Sequence, residues 1–147
     1  MEWIAQLQGQ VVGLDTAPLI YFIERNPTYL EMMRVFFRAL NCGEFKVVTS
    51  VITLLEVLVQ PLRRGETALA QEYRDILFDE EGLTTIPVSP DIAEAAAQLR
   101  AVHNLRSLDA IQMATAIHEG AAFFLTNDVR LPSLPGLEVL VLDSLRA

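Results

Sequence analysis

Short, continuous apolar runs alternate along this chain with longer stretches in which apolar residues recur every third or fourth position. Val11-Val12-Gly13-Leu14-Asp15, Phe45-Lys46-Val47-Val48-Thr49, Thr84-Thr85-Ile86-Pro87-Val88, Ala122-Phe123-Phe124-Leu125-Thr126 and Leu137-Glu138-Val139-Leu140-Val141-Leu142 are rich in β-branched or aromatic residues. Such runs read as strands, and unbroken apolar ones suit a parallel sheet covered on both faces. The periodic stretches between them read as helices. One is expected from Pro18 to about Glu24, since proline suits a first turn. Asn26-Pro27 breaks it. Thr28 and Glu31 then have the spacing of a capping box for a second helix, with Met32, Val35, Phe36, Ala39 and Leu40 as its apolar positions. Asn41-Cys42-Gly43 should end it.

Ser50 is expected to cap a helix that carries Glu56 and stops at Gln60-Pro61, with Arg63-Arg64-Gly65-Glu66 as a turn. Further helices are expected from Thr67 to Phe78, from Ile92 to His103 behind Ser89-Pro90, and from Ser107 to His118. Strands alternating with helices imply one α/β domain over residues 1–147. The expected fold is a three-layer α/β/α sandwich around a central parallel sheet.

Four acids interrupt this pattern. Glu56 is the only charge between Lys46 and Arg63, and no charge but Asp15 lies between Glu2 and Glu24. Asp109 is alone between Arg106 and Glu119, and Asp128 ends the run from Ala121 to Asn127. A lone carboxylate in apolar surroundings is costly unless it is paired or binds a metal. Ligands of open parallel sheets bind at the carboxyl ends of the strands, where Asp15 and Asp128 should stand. Asp109 in a first turn and Glu56 two turns into a helix can reach the same edge. Each acid also has an ordinary reading: Asp15 as a cap, Asp109 as a helix-start residue, Asp128 as a turn residue, Glu56 as half of a buried ion pair. Together they suggest one shared site for a hard divalent cation. Such an ion takes carboxylate oxygens, waters and substrate phosphates as ligands, and it can activate water against a phosphodiester.

The totals narrow the alternatives. The net charge is −8, with one Lys and ten Arg, which argues against bulk electrostatic binding of nucleic acid. It does not exclude an enzyme whose metal ions supply the local positive charge. The single cysteine, Cys42, leaves no internal disulfide and no cysteine set for zinc, and is expected to be buried or half-buried. His103 and His118 read as helix-end residues, and Trp3, Met32, Met33 and Met113 as packing residues. The sequence starts without a secretory leader pattern and holds no run long enough to cross a membrane, so a soluble, cytoplasmic protein is expected.

Leu14-Asp15-Thr16, Glu56 in a helix after a strand, Ser107-Leu108-Asp109-Ala110-Ile111-Gln112-Met113-Ala114-Thr115-Ala116 and Phe124-Leu125-Thr126-Asn127-Asp128 resemble the PIN domain, and within it the VapC-type toxins of toxin–antitoxin pairs. The likeness spans nearly the whole chain. It implies a Mg²⁺- or Mn²⁺-dependent ribonuclease, a homodimer, and an antitoxin partner that blocks the site with an arginine. It implies that Asp15, Glu56, Asp109 and Asp128 form the metal site, with Thr16 and Thr126 as neighbouring hydroxyls and Asn127 between. The chemistry expected is hydrolysis of single-stranded RNA, with Arg63, Arg64 and Arg130 as candidate phosphate contacts. Two alternatives stand beside it: a PIN protein of ordinary RNA processing, and a catalytically weak acidic module that binds a basic partner. An aspartyl-phosphate phosphatase would need an acid at Ala17, and a receiver domain a lysine after a late strand; the chain has neither.

Overall fold

The computed structural model describes residues 1–146. Five parallel strands, β1 (Val11–Leu14), β2 (Lys46–Ser50), β3 (Leu83–Ile86), β4 (Phe123–Thr126) and β5 (Glu138–Val141), form one sheet in the order β3-β2-β1-β4-β5. β1 is therefore the central strand, and residues just past its carboxyl end are flanked by both β2 and β4. Side chains alternate between the faces. Val12, Leu14, Leu125 and Leu140 join one hydrophobic cluster, while Phe124 joins another on the opposite face. The sheet is thus the middle of three layers, as expected.

The first cluster is roofed by α1 (Glu2–Ala5), α2 (Thr16–Ile23), α3 (Leu30–Asn41) and α5 (Thr67–Asp79). Its aromatic centre is Phe36, with Trp3 stacked on it and Phe37 and Phe45 against it. The second cluster lies under α6 (Pro90–Val102) and α7 (Ser107–His118). Alanines dominate the buried face of α7, at Ala110, Ala114 and Ala116, so the helix comes close to the sheet. Gly13 completes the fit. A Cβ on Gly13 would stand 2.6 Å from the Cβ of Ala116 and 2.9 Å from Cδ1 of Phe124. Only glycine lets α7 rest on β1 at this depth.

Some element ends differ from the expectation. α2 starts at Thr16, two residues before Pro18, because Asp15 caps it: the Thr16 amide donates to Asp15 Oδ1 at 2.8 Å. Pro18 still falls in the first turn, where its missing N–H has no intrahelical partner to lose. The capping box of Thr28 and Glu31 does not form. α3 begins at Leu30, and Asn26 accepts the Thr28 amide on Oδ1 at 2.9 Å, so the Asn–Pro turn does the work assigned to the threonine. α4 (Ile52–Arg64) runs through Pro61 and takes Arg63 and Arg64 into its last turn. At its start the N-cap position falls on Val51, one residue later than expected, but Ser50 Oγ still accepts the Ile52 amide at 3.1 Å. Pro61 is buried, and the helix closes beyond it on Gly65 at φ +66°, with the Glu66 amide donating to the Pro61 carbonyl at 2.9 Å. Cys42 is exposed, not buried, because it lies one residue past the end of α3, beyond its apolar stripe. α1 and α8 (Leu142–Leu145) are single turns, too short to leave a periodic signal. Among the described residues no helix is long and apolar enough to cross a membrane.

Candidate active site

At the carboxyl edge of the sheet lies an open pocket of about 470 Å³, and Asp15, Glu56, Asp109 and Asp128 all line it. The chain brings them there from four separate segments. Asp15 follows β1, Glu56 rides on α4 after β2, Asp109 sits in the first turn of α7, and Asp128 follows β4. Thr16, Thr126 and Asn127 share the lining, as do Arg106 and Arg130. Arg63 and Arg64 do not line it; both are exposed in the last turn of α4, and Arg64 lies 3.9 Å from Glu66.

Asp15 is the inner wall. Its Oδ1 accepts the Thr16 amide, and its Oδ2 accepts the Thr126 hydroxyl at 2.7 Å. Burial raises its pKa above the usual carboxylate range; these hydrogen bonds oppose the rise, and the nearby charges of Asp109 and Glu56 add to it. Asp109 and Glu56 are thus near enough for their charges to be felt by Asp15. Glu56 is exposed at the rim rather than buried, and Thr16 Oγ1 donates to its Oε1 at 2.7 Å. Its isolation in sequence reflects a helix face turned to the pocket, not a buried ion pair.

Asp109 and Asp128 are held differently, by guanidinium groups. Arg106 Nε donates to Asp109 Oδ2 at 3.0 Å, and its Nη2 lies 3.9 Å from Asp128 Oδ2. Arg130 grips Asp128 with three donors: its amide and Nε on Oδ1 at 2.9 and 3.0 Å, and Nη2 on Oδ2 at 2.8 Å. This hydrogen bonding by Arg130 lowers the Asp128 pKa to about 2. Arg130, a candidate phosphate contact, thus has a carboxylate partner within the chain. Asn127 is tied backward: its Nδ2 donates to the Tyr21 hydroxyl at 3.1 Å, and its Oδ1 accepts the Asp143 amide at 3.0 Å.

Behind the acids lies a buried polar hub with no counterpart in the sequence reading. Gln112, one turn after Asp109, donates to Thr53 Oγ1 at 2.7 Å and accepts the Ser50 amide at 3.3 Å. Thr53 pairs with Thr49 at 2.8 Å, and Thr49 donates to the Leu14 carbonyl at 2.8 Å. Gln112, Thr49, Ser50, Thr53 and Thr126 are all buried. The hub links α7, α4 and the ends of β1 and β2, which are the elements that carry Asp109, Glu56 and Asp15. The available signal was Gln112 itself, a lone amide three residues after Asp109 on a buried helix face otherwise made of Ala, Met and Thr115. Arg106 was equally unmarked, because an arginine before a helix reads as solvent-facing.

The donor set is oxygen only, which suits a hard divalent cation and not zinc or copper. Neither His103 nor His118 reaches the pocket lining. The pocket gathers the four acids without closing them on one point: among the described residues no three stand close enough to hold an ion. Arg106 and Arg130 hold Asp109 and Asp128, while threonine hydroxyls hold Asp15 and Glu56. The chemistry of the donors and the crowding of charge around Asp15 fit a divalent ion.

The family description "PIN domain" matches residues 12–137. No curated protein matches the sequence. Among solved structures, VapBC2 from Rickettsia felis bound to a promoter DNA fragment superposes with a TM-score of 0.70 at 20% identity, covering 89% of this chain and 98% of that one. A toxin–antitoxin complex from Klebsiella pneumoniae gives 0.64 at 26% identity, covering 86% and 94%. The sarcin–ricin-loop-cleaving toxin VapC20 of Mycobacterium tuberculosis gives 0.61 at 18% identity, covering 78% and 86%.

Proposed function

The chain belongs to the PIN domain family, and from that premise we propose that it is a divalent-metal-dependent endoribonuclease acting on single-stranded RNA, the toxin of a toxin–antitoxin pair. The observation that carries the reading is the meeting of Asp15, Glu56, Asp109 and Asp128 in one pocket at the carboxyl edge of the sheet. Relatives of like fold in toxin–antitoxin complexes support an antitoxin as partner. The cofactor in this reading is Mg²⁺ or Mn²⁺, and the working form is a homodimer.

Asp15 and Asp109 would hold the cation from the sheet and from α7, with Glu56 and Asp128 closing the set from either side. Bound there, a divalent ion supplies positive charge to a phosphodiester and lowers the pKa of water. The chain contributes orientation. Thr16 and Thr126 fix the carboxylates of Glu56 and Asp15 through short hydroxyl donors, and the Gln112 hub fixes the helices that carry them. Glu56, at the open rim, would accept a proton from an attacking water. Arg130, with Arg63 and Arg64 farther out, would meet the phosphate backbone of the substrate.

The test is cleavage of single-stranded RNA in Mg²⁺ or Mn²⁺, with chelator as control. Asp15→Asn and Asp109→Asn should each abolish cleavage while keeping a cooperative melt. RNase activity unchanged in either variant would overturn the assignment. A second reading draws on the guanidinium pairs at Asp109 and Asp128: an acidic module that acts by docking a basic partner. It takes precedence if calorimetry finds no Mn²⁺ binding.

A further inference from the structure

Between Asp109 and Asp128 the pocket already holds cations of the chain's own. Arg106 stands one residue before α7 and reaches both acids, at 3.0 Å and 3.9 Å. Arg130 takes both oxygens of Asp128 from the other side. Carboxylate and guanidinium alternate across the mouth in the order Asp109, Arg106, Asp128, Arg130. This ladder occupies Asp109 Oδ2 and both oxygens of Asp128, so of these two acids only Asp109 Oδ1 faces a divalent ion without a guanidinium on it. Asp15 and Glu56, by contrast, receive only neutral donors, from Thr16 and Thr126. One half of the site is held by neutral hydrogen bonds and the other by charge.

We infer that Arg106 and Arg130 are internal counter-cations that a divalent ion must displace, so that loading the site is an exchange of one cation for another. The inference rests on the reading that these carboxylates hold a divalent ion. Exposure supports the exchange. The side chains of Arg106 and Arg130 are 70% and 69% exposed, against 15% for Asp109 and 19% for Asp128. The guanidiniums can swing into solvent without uncovering any core, while the acids stay where the backbone puts them. The Arg106 pair, one hydrogen bond and one 3.9 Å contact from an exposed side chain, is of the weak and easily replaced kind, whereas the bidentate grip of Arg130 on Asp128 is the stronger of the two. Once released, the two arginines still flank the pocket, where a phosphodiester can take them bidentately.

Calorimetric titration of the folded chain with Mn²⁺ tests this. Arg106→Gln should bind Mn²⁺ about fivefold more tightly than wild type, equivalent to about 1 kcal/mol. Arg106→Lys keeps the charge but loses the planar fork and should fall between the two. Without Mn²⁺, Arg106→Gln should melt below wild type, and it should gain more from added Mn²⁺. Equal or weaker binding by Arg106→Gln overturns the exchange, as does an Arg106→Lys value equal to wild type beside a tighter Arg106→Gln, which would mean a general field effect. Mn²⁺ binding by none of the three proteins would overturn the metal reading itself; a wild type that binds beside an unchanged Arg106→Gln overturns the exchange alone.

Discussion

Replacing Gly13 with alanine tests whether the close seating of α7 on β1 is what fixes Asp109 near Asp15. The added Cβ would stand 2.6 Å from Ala116 Cβ and 2.9 Å from Phe124 Cδ1. Carbon atoms in contact lie about 3.5–4.0 Å apart, so the helix must retreat by roughly 1 Å. Neither neighbour offers an easy escape, since Ala116 has no side-chain torsion to turn and both residues are buried in the same cluster. Overpacking of this kind costs about 1–3 kcal/mol. At this chain length each kcal/mol is worth about 2–4 °C, so Gly13→Ala should melt roughly 2–12 °C below wild type. Ala116→Gly removes the nearer obstacle. Alone it should lose about 1 kcal/mol of helix propensity. Combined with Gly13→Ala it should lose less than the two singles together, with a coupling of about 1 kcal/mol or more. Thermal and urea melts followed by circular dichroism measure all four proteins. A Gly13→Ala melt within about 1 °C of wild type, or strict additivity in the double variant, would refute the packing argument. Mn²⁺ affinity should fall with the melt in Gly13→Ala and return with it in the double variant.

Thr16→Val removes the hydroxyl that donates to Glu56 and should weaken Mn²⁺ binding about tenfold by calorimetry; unchanged affinity would show that Glu56 needs no such support. Asp15 has a raised pKa, so in metal-free buffer its ionisation opposes folding. Its contribution to stability should grow as pH falls through that raised value and be complete below the unfolded value of about 3.9. Melts taken as pH falls from 7 to about 4 should therefore rise more for wild type than for Asp15→Asn, and equal behaviour over that whole range would contradict the burial argument. Asp128 has the opposite sign. Its pKa near 2 gives stability that is present above the unfolded value and lost as pH falls through the folded one. Carboxyl carbon NMR should place the Asp128 titration near 2 in wild type and back toward the ordinary carboxylate range in Arg130→Gln; no movement would mean that the guanidinium is not the cause.

Much of the fold was legible because three of its strands are short and buried almost end to end. The Val11, Lys46 and Phe123 segments leave no choice of face, so their positions follow from composition alone. Helix ends were harder, because they depend on which neighbour satisfies a few amides. Pro61 has the look of a stop, yet α4 passes through it, since burial of the ring and closure on Gly65 outweigh one missing hydrogen bond. Thr28 has the look of a cap, yet Asn26 reaches its amide first. In the pocket the four acids stood out because each is the only charge in its stretch. What sequence could not show is how each one is held. Arg106 and Asp128 are far apart in the chain, and only the placement of α7 beside the end of β4 brings them near. The Gln112 hub was hidden for the same reason, since its partners Thr53 and Ser50 lie on a different segment.

The central claim is that carboxylates from four segments share one cation. Anomalous diffraction from crystals soaked in Mn²⁺ tests it most directly. The expected result is a peak in the pocket bounded by Asp15, Glu56, Asp109 and Asp128, within bonding distance of oxygens of Asp15 and Asp109, with the guanidinium of Arg106 turned away from Asp109. A map with no peak in that pocket, and with Arg106 still bridging Asp109 and Asp128 at saturating Mn²⁺, would contradict it.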